Sequence, residues 1–481
     1  MIDDYDEDEL YYGFIEEEQE EVSNKLELPA FIREYVTSAV DVSKYNHVPA
    51  ALTAFVLLGQ LSKDMVCIVG GKRREDTRIP FLWMQTSGSG KTEMYNFFGP
   101  VARKTFEILQ ARGNYFDIFD VKEITDAALI GSMKQEEQTI EGANGPERVY
   151  VDVQIKGALE GDGLIVYDEF EYSGVFKQSQ HKENVVMYLM TLMNTLWGEN
   201  WVITKKLKDG DTVLECRCQR SAYATSYIPK MLTSVIAEKG IMQRMLIFIW
   251  EVPQSVQDEI RKSVLEEFGT KKDNKAPIDK FARGFAKIHE TLKERYEDVD
   301  RDPTEVITYS NDFNAAIIRE YESMRKYVES SRAEVLEIAS NFITRLNNHL
   351  VRLSILCCIA EAPSITDKSK RFVVTSRNVS QAGSLVKQCY KSLVSWLDTA
   401  LRVERRTLQD KANVNVFKQA YDELNREGSD GFVNKTILIG KVRSTTKKGE
   451  STIYKWWQKI SDNFEEKRIA KKAYVKWNPE E

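Results

Sequence analysis

The stretch QTSGSGKT, Gln85–Thr92, follows the apolar run FLWM and precedes TEMYNFFGPVARKTFEILQAR, whose apolar residues recur at helical spacing. This order of strand, glycine loop and helix decides the reading of the fold. Glycine lets the backbone curl tightly enough for several N–H groups to converge, and the helix start adds its own unpaired amides. Such a loop suits phosphate oxygens, with a lysine to reach the outer phosphates and a hydroxyl to complete a magnesium shell. Thr86, Ser87, Gly88, Ser89, Gly90, Lys91 and Thr92 occupy those places. A mere turn of small residues is the alternative. One position departs from G-x-x-x-x-G-K-[ST], because Gln85 stands where the first glycine belongs. It sits at the strand end, upstream of the phosphate amides, so its replacement by Gly is expected to leave activity intact or improved.

Hydrolysis needs carboxylates as well as a phosphate loop, one for magnesium and one to activate water. GLIVYDEFEY (Gly163–Tyr172) supplies a buried strand ending in Asp168 and Glu169. Asp168 pairs with Thr92 as metal ligand and Glu169 is the candidate catalytic base; a helix-capping Asp is the alternative. RSAYATSYIP places Thr225 and Ser226 near another strand end, where a hydroxyl such as that of Ser226 could hold the attacking water, unless these are ordinary strand hydroxyls. GIMQRMLIF sets Arg244 after a glycine-led turn, where it could stabilise transition-state charge or simply lie on the surface. With MVCIV, ERVYVDVQIKG and RMLIFIWEV as further strands between helical segments, the pattern argues for an α/β core with a mostly parallel sheet. WVITKKLKDGDTVLECRC reads as a hairpin turning at Asp209-Gly210, with Lys205, Lys206 and Lys208 on it.

A length of 481 residues suggests two to four domains. The longest apolar stretch, PAALTAFVLLG (Pro49–Gly59), is too short to cross a bilayer and reads as a buried helix. The six cysteines lack the spacing of a metal knuckle, and the start of the chain is acidic where a secretory signal is basic. These features predict reduced thiols, no structural zinc, no membrane and an intracellular location. The net charge of −7 conceals an asymmetry: eleven carboxylates and no Lys or Arg in Asp3–Glu21, against twelve Lys/Arg and four acids in Gly431–Asn478. The expected organisation is an acidic disordered tail (1–25), a helical lead (26–77), the α/β core (78–255), a helical lid (256–405) and a basic module (411–481). The tail is expected to be a solvating segment, a docking peptide for a replication partner or a mimic of nucleic-acid charge.

In the basic module, NVNVFKQAYDELNREG, FVNKTILIGKVR, GESTIYKWWQKISDN and EEKRIAKKAYVKWN read as three helices and a β-wing, the plan of a winged helix. Thr452, Tyr454, Lys455 and Gln458 would face a groove, and Lys467, Arg468, Lys471 and Lys472 would meet phosphates. Only one of Trp456 and Trp457 can fill the core. A protein partner is the alternative to nucleic acid for such a domain.

The motifs SGSGKT, DEFE, ATSYIP and GIMQRML, following LPAFIREYV and PAALTAFVLLGQL, resemble those of viral and mobile-element P-loop ATPases often fused to primases. ITRLNNHLVRLSILCCIAEA with FVVTSRNVSQAGSLV is similar to the lid of minichromosome-maintenance helicases and other AAA+ proteins. The resemblance implies an α/β P-loop NTPase core of the AAA+/RecA-like kind with ATP and Mg²⁺ as cofactors. It also implies Arg244 acting in a neighbour's site, and Arg345 or Arg352 as a sensor arginine over the nucleotide. The lysine hairpin would project into a ring's channel and grip DNA. The implied function is an ATP-dependent DNA helicase or translocase, an oligomeric, hexameric ring acting on single-stranded or forked DNA in a prokaryotic or virus-infected cell. An ATP-switched initiator or helicase loader, and a degenerate P-loop scaffold, are the competing readings.

Overall fold

The computed structural model describes residues 26–43, 46–121, 125–142, 145–170, 183–197, 202–206, 213–228, 240–266, 274–362, 372–425, 431–469 and 472–478. The acidic tail, Lys208 with its Asp209-Gly210 turn, and Lys471 lie outside the described residues. The chain divides into two compact units, Met1–Leu397 and Asp398–Glu481. The boundaries expected near residues 77 and 255 both fall inside the first.

That unit opens with α1 (Ala30–Ser43), α2 (His47–Ser62) and a small hairpin of β1 (Ile68–Gly70) and β2 (Arg73–Glu75). β3 (Phe81–Gln85) leads through the glycine loop to α3 (Lys91–Gln110), followed by β4 (Asp117–Asp120) and α4 (Asp126–Ile130). A two-stranded antiparallel ribbon, β5 (Gly131–Gly142) and β6 (Gly145–Lys156), precedes β7 (Gly161–Tyr167) and α5 (Glu183–Leu192). β8 (Val202–Lys206) pairs antiparallel with the start of β9 (Val213–Ser226), and α6 (Ile241–Arg244) enters β10 (Leu246–Trp250). Then come α7 (Gln254–Glu266), α8 (Lys275–Asp298), β11 (Ile307–Tyr309), α9 (Phe313–Glu329), α10 (Ala333–Ala360), β12 (Phe372–Val374) and α11 (Ser376–Asn425).

The central sheet has the order β10-β3-β9-β7-β4, every neighbour parallel, with β8 on β9. Every residue of FLWMQ in β3 and LIFIW in β10 is buried, as strands covered by helices on both faces require. The chain leaves β3 for the far edge at β4, returns through β7 and β9, and places β10 on the other side of β3. This reversal opens a crevice at the carboxyl end of β3, where α/β sheets bind ligands.

Helix α2 is apolar all round and buried from Val48 to Ser62, which makes it a central element rather than a surface helix. Phe31 and Tyr35 of α1, Phe97 of α3 and Phe281 and Phe285 of α8 form a cluster with centroids 5.0–6.3 Å apart, mostly edge to face. Each such pair contributes about 1 kcal/mol beyond its buried area. The N-terminal helices, the loop-bearing helix and the later helical region are thereby fastened together. All six cysteines are buried and unpaired. Among the described residues, no helix is long and apolar enough to cross a membrane.

The second unit contains the carboxyl part of α11, α12 (Lys435–Thr446), α13 (Glu450–Ile460) and a three-stranded antiparallel sheet. The sheet order is β13 (Val433–Asn434), β15 (Lys472–Trp477), β14 (Phe464–Ile469). Its core includes Phe417, Leu438, Ile453, Trp457, Phe464 and Val475, with Trp456 packed only partly against it. Asn434 caps α12 by accepting from the Thr436 and Ile437 amides.

Candidate functional site

The loop after β3 curls through Gly88 (φ 73°) and Gly90 (φ 93°), a left-handed backbone that side chains rarely tolerate. Gly90 caps α3, so the helix begins at Lys91 with its amide-rich end at the crevice. Ser87 and Gly88 form the exposed crest, whereas Ser89 is turned inward and its hydroxyl donates to the Thr86 carbonyl. The Thr86 hydroxyl accepts from the Val252 amide beyond β10, at 3.1 Å. Ser89 and Thr86 side chains therefore shape the loop. Lys91 Nζ donates to the carbonyls of Gln85 (2.8 Å) and Ser226 (2.9 Å), which sets a cation across the mouth between β3 and β9.

Asp168 and Glu169 leave β7 on the same side, with exposed side chains, and Thr92 is exposed in the first turn of α3. The parallel register sets Tyr167 opposite Ala224, so Asp168 comes level with Thr225, whose hydroxyl donates to Asp168 Oδ1 at 2.7 Å. Thr225, not Ser226, is thus the hydroxyl that meets the carboxylate; Ser226 Oγ donates to the Tyr227 carbonyl instead. Successive strand side chains point to opposite faces, so only one of this pair can face Asp168. Glu169 adopts φ 56°, an uncommon backbone for a residue with a Cβ and of the kind that gathers at functional sites. Beside them Tyr95 donates to Asp120 at 2.5 Å, and burial followed by that carboxylate pushes its phenol well up.

Arg244 and Arg345 lie elsewhere. β10 pairs with β3 from Leu246↔Phe81 to Trp250↔Gln85, so Arg244, just ahead of β10, stands at the opposite end of the sheet from the loop. The strand between spans roughly 13 Å. There Arg244, Arg345, Asn348, His349 and Arg352 line a pocket with Glu75 and residues 193–196. Arg345 is therefore not poised over the loop of its own chain, contrary to the sensor role expected of it. Arg352 is buried and ion-paired with Glu75, a structural arrangement. Arg244 donates to the Gly240 carbonyl at 2.8 Å, and burial, then Arg345, push its guanidinium pKa down. Burial, then Arg352 and Arg345, hold the His349 imidazole at about 3 against an ordinary 6.5. His349 Nδ1 and Arg352 Nε are buried without a hydrogen-bond partner among the described residues.

Lys205 and Lys206 belong to β8, opposite Leu214 and Val213. The β5–β6 ribbon is the larger projection, with Tyr150 68% exposed, and sequence reading found only its second strand. The polar run KQEEQTIEG carries no alternation because neither face is covered, although EGANG is a turn signal. In the second unit, Tyr454, Lys455, Gln458 and Lys459 form the exposed face of α13, opposite Ile453, Trp457 and Ile460. Arg468 and Lys472 are exposed on β14 and β15, whereas Lys467 stacks over the Phe432 ring at 3.9 Å. A scan against protein-family models finds no match to this chain, and a search of the curated proteins finds none either.

Proposed function

We propose that the first unit binds ATP at Thr86–Thr92 and hydrolyses it, and that the protein is a DNA helicase or translocase working as a ring of copies. The observation that carries the reading is the convergence, at one end of a parallel sheet, of the Gly88–Gly90 loop, Lys91 and the Asp168–Thr225 pair. A cation held by two carbonyls at a helix start, facing exposed carboxylates, is a donor set that fits a polyphosphate and its metal. Lys91 would exchange its carbonyl partners for phosphate oxygens. Thr92 and Asp168 would hold Mg²⁺, whose charge would offset that of the phosphates, and the Thr225 hydroxyl orients the Asp168 carboxylate. Glu169 would orient and deprotonate the attacking water.

Arg244 and Arg345 sit too far along the sheet to serve their own loop, and we read them as reaching the nucleotide of a neighbouring copy. This favours a closed ring, the hexamer of the AAA+ enzymes that the motifs resemble. The second unit would act as a winged helix, offering Lys455 and Gln458 to a groove and Arg468 and Lys472 to phosphates.

The test measures ATP hydrolysis, particle size and strand displacement on forked DNA, for the parent and Lys91→Ala. The expected outcome is DNA-stimulated hydrolysis and displacement by an oligomer, both abolished by Lys91→Ala. Slow hydrolysis without displacement would assign the protein to the initiators or loaders, and hydrolysis independent of Lys91 would sink the site.

A further inference from the structure

Asn46 stands in the cap position just before helix α2, yet its side chain makes no capping hydrogen bond to that helix. An asparagine there ordinarily accepts from the second or third helical amide. Instead Asn46 Nδ2 donates to the Ser89 carbonyl at 3.0 Å, in the middle of the glycine loop. Gln85 Nε2 donates to the same carbonyl at 2.9 Å and to Asn46 Oδ1 at 3.0 Å. The far oxygen, Gln85 Oε1, accepts from Trp83 Nε1 at 2.5 Å.

The direction of these bonds follows from one residue. An indole nitrogen can only donate, so the Gln85 atom beside Trp83 is its oxygen and the amide nitrogen must face Asn46 and Ser89. Asn46 then has to present its oxygen to Gln85 and its nitrogen to the loop. Asn46 is 1% exposed, Gln85 0% and Ser89 1%, so water does not compete for these bonds. Two carboxamide donors thus pull the Ser89 carbonyl into the protein. In a planar trans peptide the following N–H points the other way, so the Gly90 amide is aimed away from Asn46 and Gln85.

We propose that Asn46 and Gln85 are positioning residues that set the Ser89–Gly90 peptide for phosphate, the glutamine supplying with its side chain what a glycine at 85 would leave to backbone geometry alone. The inference rests on the reading of the loop as a nucleotide site. It also assigns α2 a share in that site, through the capping bond that Asn46 gives up.

The test uses full-length protein carrying Gln85→Met or Asn46→Leu, which keep volume but remove the donors, with Lys91→Ala alongside. Hydrogen exchange without nucleotide reads the loop directly. Amides of Ser87–Gly90 should exchange about tenfold faster in each variant, as loss of such bonds implies, while β10 and α10 exchange as in the parent. With ATP, KM should rise about tenfold and kcat change far less, since the peptide contacts phosphate equally in ground and transition states. Unchanged loop exchange, or acceleration spread evenly over the fold, overturns the proposal. Absence of Lys91-dependent hydrolysis in the parent would remove the nucleotide reading, and the loop exchange would still decide whether the two carboxamides hold the peptide.

Discussion

The two ends of the central sheet carry opposite charge. At the carboxyl end, Lys91 is satisfied by two carbonyls while Asp168 and Glu169 stand exposed. At the amino end, three arginines and the Glu75 carboxylate line one pocket, and His349 and Arg352 keep buried polar atoms without a hydrogen-bond partner among the described residues. One end offers acids and a curled loop; the other offers surplus positive charge. An end that is short of anions is suited to receiving them from outside the chain.

The sharpest way to break this comparison separates the ends into different subunits. Arg244→Ala should lower kcat about a thousandfold with little change in KM, the magnitude expected when an arginine stabilises transferred charge. Mixing it with Glu169→Gln, inactive by itself, should restore partial activity, because each variant supplies the end that the other lacks. Normal hydrolysis by Arg244→Ala alone would end the idea of a shared site.

A second prediction concerns the amino end by itself. His349 is held at about 3 in the fold and has an ordinary value of 6.5 unfolded, so between those values the unfolded chain binds the extra proton. Stability present above pH 6.5 is therefore lost as pH falls below it, at up to about 1.4 kcal/mol per pH unit from this residue. Burial lowers the His289 imidazole too, adding to the slope in the same direction. Thermal unfolding from pH 7 to 5 should show a flatter decline in His349→Gln than in the parent. At the carboxyl end the smaller counterpart is Thr225→Val, which removes a bond to a carboxylate. It should cut hydrolysis roughly tenfold at limiting Mg²⁺, with Ser226→Ala close to the parent; the reverse ranking would give Ser226 the larger part.

Much of this was legible in the chain because its signals are local. SGSGKT and YDEF each report a strand end by composition, and the parallel sheet follows from uniformly apolar runs such as LIFIW. What was hidden depends on partners distant in sequence. Gln85 looked like a missing glycine until Asn46, 39 residues earlier, was seen bonded to it. That geometry reverses the expectation for Gln85→Gly, which should now weaken nucleotide binding. Arg345 looked like a sensor over its own loop until α10 brought it to Arg244. Thr225 and Ser226 could be ranked only once register had set one of them beside Asp168.

Helix α2 also bears on how the molecule can be dissected. Leu52, Phe55, Val56, Leu57 and Leu58 have no exposed surface, and the helix runs from the loop at Asn46 to the start of β7, where Gln60 donates to Asp162 and the Leu61 carbonyl meets His289. A fragment starting at residue 78 would keep every motif of the sheet and lose the rod on which the sheet rests. Such a piece should aggregate, whereas one cut after Leu397 should retain the intact crevice around the Gly88–Gly90 loop.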